Sequence, residues 1–129
     1  MNLLTAVTAR LAALGYTVTE ADNWALGFVL ESVTQSILNR CNLVDVPDGL
    51  AYAIVDRTAG QFLREQKAQG KLEGFDLDAA VKQLQEGDTN ITYAIGDGTK
   101  TPEARIDEVI GALLMSGEAD IACFRKLAW

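Results

Sequence analysis

Apolar residues recur at helical spacing along nearly all of this 129-residue chain, and one stretch departs from that spacing. In residues 87–102, Ile91, Tyr93 and Ile95 alternate with Thr92 and Ala94, which is the period of a β-strand. A strand satisfies its backbone N–H and C=O groups by pairing with another strand. The chain offers few internal partners. We therefore expect this strand either to pair with another subunit or to form a local hairpin or ordered loop against its own helices.

Around this strand, glycines and capping residues separate five or six amphipathic segments. The fold class predicted is all-α, a single domain of five to six helices with one short strand or hairpin loop near residues 90–95. We expect an N-terminal helix at residues 1–14 and core helices at 20–86, followed by a strand-bearing loop at 87–101 and C-terminal helices at 102–129.

The longest predicted helix begins at Thr19 and ends at Asn39 or Arg40. Its leucines, valines and isoleucine form a wide apolar face, and Trp24 and Phe28 flank that face. Because the apolar face is so wide, we expect this helix to be buried on more than one side.

The next helix, predicted from Pro47 to about Gln69, has two different faces. Its inner face is apolar, whereas its basic residues lie nearly opposite at about 100° per residue. The inner face comprises Ala51, Ile54, Val55, Thr58 and Phe62, and the basic face comprises Arg57, Arg64, Lys67 and Lys71.

The chemistry available to the chain is narrow, because it contains no histidine. Cys41 and Cys123 lie among apolar residues, and we expect both to be buried free thiols in a reducing cytosol. Residues 96–100 lack the spacing of a phosphate-binding loop, and we expect the clustered carboxylates to be helix-start or surface charges. The sequence thus predicts no catalytic, cofactor-binding or metal-binding residues, and an enzyme is not expected.

Charge is unevenly distributed along the chain, which carries a formal net charge of −7. Four bases and one acid lie between Arg57 and Lys71, whereas eleven acids and three bases lie between Glu73 and Asp120. Such segregation suits head-to-side contacts between subunits of a ring, and it equally suits two solvated helix faces. The basic face also allows contact with nucleic-acid phosphates, although the net charge opposes it.

No run of residues has the length of a membrane span, and the first fourteen residues lack the pattern of a secretion signal. We expect a soluble protein that is not exported and does not bind membranes.

Four runs carry a family resemblance: ALGYTVTEADNWALGFVLESVTQSILNRCNL (13–43), VPDGL (46–50), FDLDAAVKQLQEGDTNITYAIGDGTKTPEARIDEVI (75–110) and FRKLAW (124–129). They resemble the head–tail connector proteins of tailed bacteriophages and related prophages. The resemblance implies a structural virion protein at the head–tail junction, assembled in the host cytoplasm. Such an adaptor forms a twelvefold ring when it docks on the portal. In isolation its subunit can be a monomer.

The resemblance also implies the partners of such an adaptor. It extends the DNA channel below the portal protein, supports head-closure or tail-completion proteins, and lets DNA pass without sequence-specific binding. The family has no catalytic residues to transfer, and the strand-bearing loop and C-terminal helix correspond to contact elements. Together with the basic face, the candidate subunit or portal interface comprises Ile91, Tyr93, Ile95, Arg57, Arg64, Lys67, Lys71, Phe124 and Trp129.

Two other functions fit the same sequence. The first is a DNA-binding packaging factor similar to a small terminase subunit, which would use the basic face. The second is a monomeric helical protein of unrelated role.

Overall fold

The structure, a computed structural model, describes residues 2–70, 102–118 and 121–122, with the side chains of 102–105 excepted. These residues are mostly α-helical, which confirms the all-α class, and they include no strand. The helices are α1 (Leu3–Ala13), α2 (Glu20–Cys41), α3 (Ala51–Ala68) and α4 (Pro102–Leu114), with a 3-10 turn (Asp48–Leu50) before α3. The predicted strand at 87–101 lies outside the described residues.

Helix ends follow the local signals in the sequence. Gly15 adopts φ 98° directly after α1, where its missing side chain permits the left-handed conformation that stops the helix. The Asp22 carboxylate accepts a hydrogen bond from the Thr19 N–H at 3.2 Å, so a capping interaction starts α2 at the predicted Thr19. Asn42, at φ 57°, ends α2 slightly beyond the predicted Asn39 or Arg40.

Helix α3 is the centre of the fold and packs against α1, α2 and α4. All five residues of its predicted inner face are buried, which confirms that prediction. A larger core cluster lies between α3 and the other helices, and it includes Val7, Leu11, Leu14, Leu26, Val55, Phe62, Leu63, Val109 and Leu113. A smaller cluster joins the end of α2 to the start of α3 and to Ile121.

Cys41 belongs to the smaller cluster, where it is a buried free thiol as predicted. Its Sγ lies 3.5 Å from the Ile121 carbonyl oxygen, so the thiol donates a weak hydrogen bond across the cluster. Cys123 lies outside the described residues.

Helices α3 and α4 approach each other closely at Gly60. A Cβ atom added there would lie 2.8 Å from the Leu113 Cβ, 3.2 Å from the Leu114 amide nitrogen and 3.3 Å from the Ile110 carbonyl oxygen. No room is left for a side chain, so Gly60 sets the distance between the two helices.

The expectation that α2 is buried on more than one side is wrong. Leu26, Val29 and Ile37 are buried, but Trp24 is 81% exposed and Phe28 is 63% exposed. At about 100° per residue, Trp24 and Phe28 point roughly 160–200° away from Leu26. Since α1 and α3 cover the side of α2 that bears Leu26, the two aromatic rings are left facing solvent.

Candidate interaction surface

The basic residues of α3 lie in three different environments. Arg57 is largely buried, and its Nε donates to the Ser116 carbonyl oxygen at 2.8 Å while its Nη2 lies 2.6 Å from Glu118 Oε2. Lys67 forms an ion pair with Asp107. Arg64 is exposed and donates to the Gln61 side-chain oxygen at 3.0 Å. Acids of the same chain therefore already neutralise two of the predicted basic residues.

The other predicted interface residues lie outside the described residues. They are Lys71, Ile91, Tyr93, Ile95, Phe124 and Trp129.

A network of charged side chains fixes the turn that follows α4. Glu118 accepts hydrogen bonds from both Arg40 on α2 and Arg57 on α3. The hydrogen bonds from Arg40 and Arg57 hold the pKa of Glu118 below its usual value, and the Glu118 hydrogen bond raises the pKa of Arg40. Nearby, the Ser116 hydroxyl donates to Asp56 at 2.8 Å. The network ties α2 and α3 to the turn after α4, and its role is structural.

Asp56 extends this network to the first helix. Its carboxylate lies 2.8 Å from the Arg10 Nε, and both side chains are about three-quarters buried, at 22% and 26% exposed. Helices α1, α2 and α4 are thus each joined to α3 by at least one polar contact as well as by the core.

A second polar cluster forms where α2 begins, around Asp22. Its carboxylate accepts hydrogen bonds from the Tyr16 hydroxyl at 3.0 Å and from the buried Gln66 amide at 3.2 Å. Burial raises the pKa of Asp22, but the hydrogen bonds from Thr19, Tyr16 and Gln66 outweigh that effect and lower it below its usual value. Burial, followed by the hydrogen bond to Asp22 and its negative charge, raises the pKa of Tyr16 to about 12.

The outer side of α2 brings together two large exposed aromatic side chains. The Trp24 and Phe28 rings stack with centroids 6.0 Å apart and planes inclined by 16°. Sequence reasoning placed these residues beside a buried face and missed their exposure. The signal was available, because the exposed Glu20 and Glu31 fall on the same side of the helix as the two rings.

A groove of about 340 Å³ lies next to this aromatic pair, between α2 and α3. Its apolar lining comes from Val29, Val33, Ile37 and Leu114, and Phe28 contributes at one side. Its polar lining comes from Ser32, Ser36, Arg57, Gln61 and Glu65. Such a groove can accept an apolar side chain of a bound protein and offers hydrogen-bonding groups around it.

Metal-binding and membrane-spanning features were sought in the same part of the chain. Across residues 2–70, 102–118 and 121–122, no three His, Cys, Asp or Glu residues form a group that could hold a metal ion. Within those ranges, every helix is too short or too polar to cross a bilayer.

Comparison with known proteins returned no relatives: no family model, curated protein or solved structure matches the sequence at a significant level. The resemblance to head–tail connectors therefore stays a prediction from the residues.

Proposed function

We propose that this chain is a head–tail connector of a tailed bacteriophage or prophage. In this proposal it is a structural, non-enzymatic adaptor that docks as a ring under the portal protein, extends the DNA channel, and supports head closure and tail attachment. The four sequence runs that resemble such connectors motivate the proposal. The observation that favours an adaptor most directly is the stacked, exposed Trp24–Phe28 pair on an otherwise well-packed helical body.

The packing around α3 also favours an adaptor. An adaptor must keep its shape while it holds two partners, and α3 packs against the other three described helices. It also forms ion pairs with α1 and α4 and a hydrogen bond with α2. Large exposed aromatic residues on such a body commonly mark surfaces where another protein binds.

The proposal gives the strand-bearing loop, residues 87–101, a specific role. The full chain would have five to six helices, and the strand near 90–95 would pair with a neighbouring subunit or with the portal. Tyr93→Pro removes a backbone donor, so it should abolish docking while the helical circular dichroism is retained. Tyr93→Phe keeps that donor and is the matched control. Docking that survives Tyr93→Pro would make the strand a local feature.

The packaging-factor alternative depends on free basic residues. Arg57 and Lys67 are already paired with Glu118 and Asp107, which leaves Arg64 as the exposed cation of the described basic face. Tight binding of duplex DNA at physiological salt, with affinity that falls steeply as salt rises and is lost when Arg57, Arg64, Lys67 and Lys71 are neutralised, would favour that alternative instead.

The decisive experiment mixes the purified chain with its cognate portal and images the product by electron microscopy. We expect an additional ring stacked beneath the portal. A monomer in the absence of portal is compatible with the proposal, because ring assembly can depend on the portal. Absence of any portal binding contradicts it.

A further inference from the structure

One side of α2 presents a row of residues that we call the acidic aromatic stripe. It consists of Glu20, Trp24, Gly27, Phe28 and Glu31, and it follows the exposed side of the helix over about three turns. A carboxylate lies at each end, and the two stacked rings lie between them.

The apolar part of the stripe is comparable with the main apolar patch of a typical monomer. Given their exposed fractions of 81% and 63%, the rings of Trp24 and Phe28 together present roughly 300 Å². The largest apolar patch on a typical monomer is of about this size and is often functional. The core clusters of the described residues include neither ring, so within this part of the chain the two residues contribute little to folding.

Gly27 adds an independent indication of close approach. A Cβ atom at Gly27 would meet nothing within 4 Å, so the fold itself does not require a glycine at this position. Glycine is also less favourable than alanine in the interior of a helix. A partner that packs against the α2 backbone beside the two rings would require a residue without a side chain at this position.

The charges around the stripe indicate what kind of partner fits. Glu20 and Glu31 are exposed and form no ion pair within the described residues. Most described basic side chains are already paired with acids of the same chain; these are Arg10, Arg40, Arg57 and Lys67. The stripe therefore offers free negative charge, and the described part of the chain has little free positive charge to match it.

The stripes of two copies of this chain fit each other poorly. Two parallel copies would place Glu20 and Glu31 each opposite its counterpart. Two antiparallel copies that match ring to ring would place Glu20 opposite Glu31, since these residues lie at similar distances from the aromatic pair. Like charges meet in both arrangements and repel.

We propose that the acidic aromatic stripe binds an amphipathic helix of another protein, with an apolar face bordered at both ends by Lys or Arg. Apolar side chains of that helix pack beside Gly27 against the Trp24 and Phe28 rings, and its cations pair with Glu20 and Glu31. These two carboxylates lie eleven residues apart, which is about 16 Å along a helix. The adaptor proposal draws on the same exposed pair, but this binding site is tested without the portal, so the two proposals can fail separately.

The test uses the full-length chain and three dye-labelled helical peptides, with binding followed by fluorescence anisotropy. The first peptide has a leucine face with Lys at both ends, eleven residues apart. The second carries Glu in place of Lys, and the third keeps Lys but replaces leucine with glutamine. We expect the first peptide to bind and its affinity to fall as salt rises, while the other two bind at least about tenfold more weakly.

Variants of the protein locate the site. Trp24→Ala and Phe28→Ala should each weaken binding of the first peptide by about tenfold or more, because exposed aromatics dominate such interfaces. Tyr52→Ala is the matched control, since Tyr52 is 74% exposed but lies at the start of α3. It should change affinity by less than about twofold. Glu31→Lys should weaken the Lys peptide and strengthen the Glu peptide, which a purely structural role would not produce.

Four results would overturn the proposal. The first is no binding of the Lys–leucine peptide, and the second is equal binding of the Glu peptide. The third is concentration-dependent self-association that Trp24→Ala abolishes, because a second copy would then occupy the stripe. The fourth is binding to anionic phospholipid vesicles that depends on Trp24, which would assign the stripe to a membrane surface.

Discussion

Helices α2 and α3 are neighbours of similar length, yet the chain uses them in opposite ways. Ten of the 18 residues of α3 are buried, against five of the 22 residues of α2. Phe62 on α3 lies in the core, whereas Phe28 on α2 faces solvent. Gly60 on α3 is pressed against α4, whereas a Cβ added at Gly27 on α2 would meet nothing within 4 Å. The same residue types thus stabilise the fold on α3 and remain available for binding on α2.

The two phenylalanines provide the largest expected difference between the helices. Phe62 is 1% exposed and packs edge-on against Tyr16 at a centroid distance of 5.5 Å, so Phe62→Ala should lower the free energy of unfolding by about 3–5 kcal/mol. Phe28→Ala should lower it by less than about 1 kcal/mol, because its ring is mostly solvated. Urea denaturation measures both values. Equal losses would mean that the outer side of α2 is part of the core.

Alanine substitutions at the two glycines should change stability in opposite directions and by different amounts. Gly60→Ala forces a Cβ to within 2.8 Å of Leu113, and we expect it to destabilise the fold by about 1–3 kcal/mol. Gly27→Ala should stabilise the fold by up to about 1 kcal/mol, because alanine favours helix and the site is open. Thermal unfolding of both variants checks this. A stabilising Gly60→Ala would show that α4 has room to move.

Two arginines of α3 test whether its basic face is structural. Arg57→Met removes donors to the Ser116 carbonyl and to Glu118, and we expect a loss of about 1–2 kcal/mol from the orphaned carbonyl. Arg64→Met should change stability by less than about 0.5 kcal/mol, because Arg64 is exposed. Chemical denaturation of the pair is the measurement. A larger loss of stability from Arg64→Met than from Arg57→Met would mean that the Arg57 contacts contribute little to the fold.

The smallest effects concern pH and the contact of Asp22 with Tyr16 and Gln66. The pKa of Asp22 is lowered on folding, so its stabilising contribution is present above the pKa of the unfolded chain and is lost as pH falls through the folded pKa. Asp22→Asn should therefore flatten the acid side of the stability profile. Unfolding midpoints measured from neutral pH down to pH 3 check this.

Tyr16 gives stability the opposite pH dependence, because its contribution is lost as pH rises. The pKa of Tyr16 rises from 10.0 to about 12, so the folded state holds this proton more tightly, and stability falls as pH rises across that interval. Tyr16→Phe should remove the part of the alkaline destabilisation that arises between these values. Tyr52→Phe is the exposed control, and an equal effect from it would contradict the assignment.

Much of the helical layout could be predicted from the sequence. Gly15 marks the end of α1, Thr19 and Asp22 mark the start of α2, and the inner face of α3 is buried as predicted. The candidate site was predicted less well. The helical period located Trp24 and Phe28 beside an apolar face, but the number of helices that would cover that face was not encoded in the local pattern.

The sequence by itself determined where the described helices run and which side of α3 faces inward, because helix formation and capping depend on residues within about four positions of each other. Only the tertiary structure decided which faces are covered and which charges are neutralised. Arg10 meets Asp56 across 46 residues of sequence, and Arg57 meets Glu118 across 61. Such contacts form only when distant segments pack together, so the exposed stripe on α2 and the paired arginine on α3 became visible only in the folded chain.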